Sequence, residues 1–412
     1  MRKITFYFLA FFIIGLSACT DYTTDKEVLA SLKSDVAFLA DDKLEGRAIG
    51  TQGEIQAANY IATAFEELGL EPKGTDGYFQ EFNVKKATNP HEQPVIGTDG
   101  VGVTGRNVAG IINNNAANTV VIGAHFDHLG YGEEGSLYRG ERAIHNGADD
   151  NASGTASIIQ IARLLKHQSS NYNYLFLAFS GEENGLWGSN YFSKNSTVDL
   201  STVNYMINLD MVGRMNEEHT VAISGVGTNS LWTDKLNAAN TDSLKLVMTE
   251  SGVGPSDHTS FYLQDLPVLH LFTGQHEDYH KPTDDSDKIN YDGMLQVIHL
   301  IERLVISLDD EEKMAFTKTN DSSGDSPRFT VSLGVVPDYL YDGEGMRIDG
   351  VSDGKPAQAA GIEKGDIVTK LGDSTIVDMM SYMRALSAFK LGDRAVVEYK
   401  RGNELKAVQI KF

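Results

Sequence analysis

The chain has 412 residues, a formal net charge of −22 and a single cysteine. Its length predicts more than one domain, and its composition is that of a globular protein able to bury large cores. The acidic balance argues against a nucleic-acid partner, because binding a phosphate backbone requires clustered Lys and Arg.

Taken in chain order, residues 1–18 read as an export signal. A basic start (MRK) is followed by the apolar stretch ITFYFLAFFIIGL and small residues before a cut site. The segment LSAC, Leu16 to Cys19, resembles the lipobox of bacterial lipoproteins. That resemblance implies cleavage before Cys19 and acylation of its thiol and amine. The expected location is then the bacterial cell envelope, periplasm or outer-membrane surface, with the membrane as partner through the lipid. A plain signal peptide or an anchoring helix are the alternatives, although the apolar stretch is shorter than the usual span of about 20 residues. An acylated Cys19 leaves no thiol for a disulfide, a thiolate ligand or a nucleophile.

Residues 19–27 form a polar tether. The stretches VLASLKSDVAFLADDKLEGR and GEIQAANYIATAFEELGL carry apolar residues at helical spacing, the second ending at a Gly stop. NVAGIINN and NTVVIGAHFDH read as buried strands. GTASIIQIARLLKHQ is a helix, YNYLFLAFSGEE a strand and NGLWGSNYFSKNS a helix start. VNYMINLDMVG is a strand, NSLWTDKLNAANT a helix, LPVLHLFTG a strand and YDGMLQVIHLIERLVISL a long final helix. Alternation of this kind predicts an α/β fold over residues 28–310, a mostly parallel mixed sheet sandwiched by helices. In such sheets ligands bind beyond the carboxyl ends of the strands.

Residues 311–327 are charged, then rich in Ser, Gly and Pro, and read as a linker. Residues 328–412 resume short strands with Gly-rich turns and close with a hairpin around RGNE. They form a small, separate, β-rich domain.

Five segments offer metal ligands: HFD (His125, Asp127), NGADDNASG (Asp149, Asp150), GEE (Glu182, Glu183), NLDM (Asp210) and DYHKPTDD (His280). Imidazole and carboxylate without sulfur suit zinc and similar divalent ions. Each is weak alone, since an Asp before a helix is commonly an N-cap and a buried His is commonly a hydrogen-bonded core residue. Their coincidence on one edge of the sheet points to a site. A Glu-Glu pair could also be an exposed helix N-terminus, favoured there by the helix dipole.

These motifs, in this order, resemble the co-catalytic di-zinc aminopeptidases, the family of bacterial leucyl aminopeptidases, aminopeptidase S and aminopeptidase Y. Relatives of that family include glutamate carboxypeptidase and glutaminyl cyclase. The likeness runs over residues 44–304, from LEGRAIGTQGE past DYHKPTDD. It implies a zinc exopeptidase fold with two Zn²⁺ per chain, other divalent metals being able to substitute. His125 and Asp210 would bind one metal, Glu183 and His280 the other, and Asp150 both, with a cis Asp150–Asn151 peptide. Asp127 would hold the imidazole of His125. Glu182 would be the general base, taking a proton from water bridging the metals and passing it to the leaving amine. Tyr279 would stabilise the tetrahedral intermediate. PSDHTSF (Ser256, Asp257, His258) would form pocket wall.

The C-terminal domain resembles a PDZ domain, with SLGV (Ser332 to Val335) in place of the loop that binds a peptide C-terminus. A spacer or docking domain without a ligand is the alternative. The expected whole is a secreted, lipid-anchored di-zinc aminopeptidase acting on peptides. A carboxypeptidase or dipeptidase of the same fold, or a non-catalytic PDZ scaffold, are the competing readings.

Overall fold

A computed structural model describes residues 23–85, 94–97, 102–168, 170–319, 331–338, 341, 343–351 and 354–412. The expected export signal and Cys19 lie outside the described residues, as does much of the expected linker. Ten strands form the larger sheet: β1 (Glu71–Pro72), β2 (Phe79–Lys85), β3 (Val95–Gly97), β4 (Val103–Ile112), β5 (Asn118–His125), β6 (Tyr172–Phe179), β7 (Val203–Leu209), β8 (Thr220–Ser224), β9 (Lys245–Thr249) and β10 (Val268–Phe272). Their order is β3-β2-β4-β6-β5-β7-β10-β8-β9, with β1 paired to β4. The helices of this domain are α1 (Asp25–Leu39), α2 (Gln52–Glu67), α3 (Gly154–Leu165), α4 (Trp187–Lys194), α5 (Trp232–Ala239), α6 (His258–Tyr262) and α7 (Tyr291–Ser307).

The centre of the sheet is parallel: β5 pairs in parallel with β6 and β7, and β7 with β10. Here β5 is followed by α3 and β6 by α4, each returning the chain to the same end of the sheet, while the chain passes from β7 to β10 through β8, α5, β9 and α6. Toward the N-terminal edge, β1–β4, β2–β3, β2–β4 and β4–β6 are antiparallel, and so is β8–β10 on the other side. The sheet is therefore mixed, as expected, with parallel pairing at its centre and again between β8 and β9 at the far edge.

Strand β6 explains how both faces are covered. Tyr174, Phe176 and Ala178 enter one hydrophobic cluster with α1, α2, α3, α5 and α7. Leu175, Leu177 and Phe179 enter the opposite one with Phe192 of α4 and Phe261 of α6. An uninterrupted apolar run is what a strand buried on both faces requires. In α1, Thr24 and Glu27 form a reciprocal capping box, and Val28, Leu32, Val36 and Leu39 share the buried stripe. The helix expected to run on to Arg47 stops at Leu39. Asp41 caps a new turn, and Glu45, Gly46 and Arg47 all have positive φ, so the helix does not continue through this segment.

The segment following α7 is not free chain. Met314 is buried, Phe316 packs on Tyr262, the Thr317 N–H donates to Thr228 O at 2.8 Å, and the Thr319 N–H donates to the Tyr262 hydroxyl at 3.1 Å. The first part of the expected 311–327 linker is thus docked on the larger domain, because MAF supplies apolar anchors within an otherwise charged run.

The C-terminal domain has its own core, including Leu333, Ile348, Val368, Leu371 and Val397. It contains β11 (Val335–Pro337), β12 (Met346–Val351), β13 (Ile367–Leu371), β14 (Ser374–Thr375), β15 (Arg394–Arg401) and β16 (Glu404–Lys411), with helices α8 (Pro356–Ala359) and α9 (Met379–Ser387). The closing hairpin turns at Gly402, whose φ of 59° suits glycine. No helix among the described residues is long and apolar enough to cross a membrane.

Candidate active site

Strands β6, β5 and β7 are neighbours, so the residues at their carboxyl ends converge. His125 is the last residue of β5, Asp210 follows β7 directly, and Glu182 and Glu183 follow β6 after a short turn. Asp150 sits on a kinked turn ahead of α3, and His280 on the loop after β10.

Asp150 stands in the middle. Its Oδ1 lies 3.4 Å from His125 Nε2, and its Oδ2 lies 3.2 Å from His280 Nε2. On the first side, Asp210 Oδ1 is 3.2 Å from His125 Nε2, while Glu182 Oε2 is 4.0 Å away. On the second, Glu183 Oε2 is 3.2 Å from His280 Nε2. One residue absent from the expected set, His128, places Nδ1 2.6 Å from Glu183 Oε1. Two groups, His125/Glu182/Asp210 and His128/Asp150/Glu183, each bring their ligand atoms within 4.8 Å of one another. Four carboxylates and three imidazoles around one cleft make a donor set suited to divalent cations.

Electrostatics separates the two adjacent glutamates. Burial opposes ionisation of Glu183, but His280 and His128 outweigh it and hold the carboxyl well below its usual range. Burial raises Glu182 well above that range; His125 opposes the rise, while Asp210, Asp257 and Glu183 add to it. Burial likewise opposes the charge on Asp210, and His125 overcomes it, leaving the pKa lowered. Burial and Glu183 raise Asp150.

The backbone around these groups is heavily tied. The Asp150–Asn151 peptide is cis, as expected. Asn151 accepts from the N–H groups of Gly154 and Met211 and donates to Leu209 O, fastening the Asp150 turn to the end of β7. The Asp284 carboxylate accepts the N–H groups of Asp149 and Asp150 at 3.0 and 3.1 Å. Arg47 is fully buried and donates to the carbonyls of Phe126 (2.7 Å), Asn146 (2.6 Å), Gly147 (3.0 Å) and Leu39. Burial lowers its pKa to about 10, yet it remains a cation, with Asp127, Asp150 and Asp284 stabilising the charge. Neither Asp284 nor Arg47 is marked out by sequence, because both act through contacts distant along the chain.

Asp127 differs from expectation. His125 Nδ1–H donates to the Asp127 backbone carbonyl at 3.3 Å, while the nearest carboxylate oxygen is 3.7 Å away. That oxygen instead accepts the Glu182 N–H at 3.1 Å. Tyr279 lies in the wall, its ring stacked on His280 with centroids 3.9 Å apart. The PSDHTSF segment sits one layer deeper than expected. Pro255 faces the cleft, whereas Asp257 and His258 are fully buried behind it, His258 stacked on the cleft residue His270 at 4.5 Å. The cleft joins the ligand cluster to an apolar wall of Met211, Pro255, Phe272 and Tyr279.

Residues 107–305 match Peptidase family M28, and residues 314–412 match the PDZ domain family. The chain is 29% identical over 227 residues to aminopeptidase YwaD of Bacillus subtilis, covering 51% of this chain and 46% of that protein. It is 26% identical to aminopeptidase Y of Saccharomyces cerevisiae, covering 47% and 36%. The chain thus spans about half or less of the length of these two relatives. In fold it is similar to the Bacillus subtilis zinc aminopeptidase BSAP, with a TM-score of 0.53 at 19% identity over 69% of this chain and 96% of that one. It is also similar to Porphyromonas gingivalis glutaminyl cyclase, with a TM-score of 0.54 at 17% identity over 68% and 98%. Residues 107–305 of the larger domain are thus matched to peptidase family M28, and residues 314–412 to the PDZ domain family.

Proposed function

We propose that the chain is a zinc-dependent aminopeptidase that holds two cations and releases residues from the N-terminus of peptides. The observation that carries this is the placement of Asp150, with one oxygen toward His125 and Asp210 and the other toward Glu183 and His280. A shared carboxylate with a nitrogen and a second carboxylate on each side would suit a pair of divalent cations. When bound, the metal pair supplies Lewis acidity to the scissile carbonyl and to the attacking water.

The chain's own groups do the rest. Glu182 lies farther from His125 than Asp150 and Asp210 do, and its burial favours the protonated carboxyl. It is placed to accept a proton from the water and return it to the departing amine. Its backbone is fixed by Asp127, which gives that residue a role in orienting the base. The carboxylates of Asp210 and Glu182 attract a protonated α-amine. Met211, Pro255, Phe272 and Tyr279 receive the first side chain, and Tyr279 is the candidate for stabilising the tetrahedral intermediate. PDZ domains bind extended peptides, and the SLGV loop is the proposed site for a peptide C-terminus.

The test uses matched short peptides. Acetylating the amine should stop cleavage, while amidating the carboxyl end should not, and deletion of residues 328–412 should leave these rates intact. The purified protein should carry close to two equivalents of zinc. The reverse substrate pattern would make it a carboxypeptidase. No cleavage by fully zinc-loaded protein would favour the scaffold reading.

A further inference from the structure

His128 is buried, yet the metal set inferred from sequence gives it no task. Its Nδ1 lies 2.6 Å from Glu183 Oε1 and 3.9 Å from Asp150 Oδ2, so it bonds the glutamate alone. A carboxylate oxygen only accepts, so Nδ1 carries the proton. Nε2 is buried without a hydrogen-bond partner among the described residues. The ring is held from two sides. The His128 N–H donates to Arg47 O at 3.4 Å, and Gly147 packs so closely that a Cβ there would come within 2.5 Å of the ring's Cγ and Cδ2. His280 lies edge-on, with ring centroids 5.8 Å apart.

The consequence falls on Glu183. With Oε1 taken by His128, only Oε2 is turned toward His280 Nε2, 3.2 Å away, beside Asp150 Oδ2. We propose that His128 is a positioning residue whose Nδ1–H fixes Glu183, so that this carboxylate offers a single oxygen to the cation shared with Asp150 and His280. This rests on the metal reading above and adds to it a residue that orients a ligand from behind. Such outer partners commonly set metal affinity by roughly 10–100-fold.

The experiment is chelator competition for zinc on the full-length holoprotein, with His128→Ala, His128→Asn and His128→Gln. An asparagine amide nitrogen falls where Nδ1 stands, and a glutamine amide falls nearer Nε2. His128→Ala should weaken one of the two zinc sites by roughly 10–100-fold. His128→Asn should recover most of that loss and His128→Gln should not. The thermal midpoints of the metal-free Ala and Asn forms should agree, which a purely structural role would not produce. If the alanine variant does not fold, the contrast between Asn and Gln carries the test. Wild-type affinity at both sites in His128→Ala overturns the proposal. So does an Asn variant as weak as Ala whose cobalt-substituted absorption spectrum differs from wild type, since His128 would then be a ligand itself. Wild-type protein that binds no zinc removes the metal reading, a failure visible before any variant is made.

Discussion

Glu182→Gln tests the division of labour between the paired glutamates. The substitution preserves volume and removes the basic oxygen. The local backbone should not move. The residue 182 N–H is held by Asp127 Oδ1, and its carbonyl accepts from the N–H groups of Gly185 and Leu186 at 2.8 and 2.9 Å. The side chain lies 4.0 Å from His125 Nε2, against 3.2 and 3.4 Å for Asp210 and Asp150, so it is the outlier among the acids on that side. Loss of a general base costs roughly 10²–10⁴ in turnover, about 3–5 kcal/mol of transition-state stabilisation at 1.36 kcal/mol per decade. We therefore expect kcat on an aminoacyl arylamide to fall by that factor, with KM and zinc content near wild type. Glu183→Gln should instead lose zinc, because it weakens the carboxylate that faces both His128 and His280. A Glu182→Gln protein that loses an equivalent of zinc would make Glu182 a ligand, as its clustering with His125 and Asp210 allows. Turnover within tenfold of wild type would place the base elsewhere.

Two further outcomes are expected. Glu54 is a buried carboxyl lifted by burial from 4.5 to about 7, despite donation from Ser180 Oγ and the Arg106 N–H. Its folded pKa lies above its unfolded one, so this carboxyl costs nothing below pH 4.5 and increasingly destabilises the fold as pH rises toward 7. Glu54→Gln should accordingly be near neutral in urea unfolding at pH 4.5 and stabilising at pH 8 by about 3 kcal/mol, and an equal effect at both pH values would refute the assignment. For the proposed envelope anchor, metabolic labelling with a fatty acid should mark wild type and miss Cys19→Ser; label on the variant would contradict acylation at that thiol.

Much of the fold was legible because the central strands are apolar on both faces. YLFLAF and VNYMINL can only be strands buried between helical layers, and the acids at their ends mark the edge where a site forms. The flanking strands were not legible for the converse reason. FQEFNVK alternates into a partly exposed surface, and KLVMT is a short edge whose pairing with TVAIS depends on partners far along the chain. Arg47 and Asp284 escaped notice because their work is done on backbone atoms of other segments. Nothing in EGR or TDD says which carbonyls or N–H groups will be nearby.

Asp127 and His128 share one cause. Strand alternation would set Asp127 beside His125, but β5 ends at His125 itself, and beyond that point a period of two no longer governs where side chains point. The Asp127 carboxylate is then free to take the Glu182 N–H, and His128 is free to reach Glu183. The same break at the end of one strand thus serves both members of the glutamate pair. Each adjacent carboxylate acquires its own partner from HFDH: a backbone clamp for Glu182, and an imidazole for Glu183. Charge follows from this. Glu183 faces two imidazoles and stays ionised, while burial raises Glu182 beyond what its single histidine offsets, with Asp210 and Asp257 adding to the rise, and it is left the more basic. In the proposed mechanism, what the neighbouring strand end presents to each is what divides two identical side chains, one residue apart, into a ligand and a base.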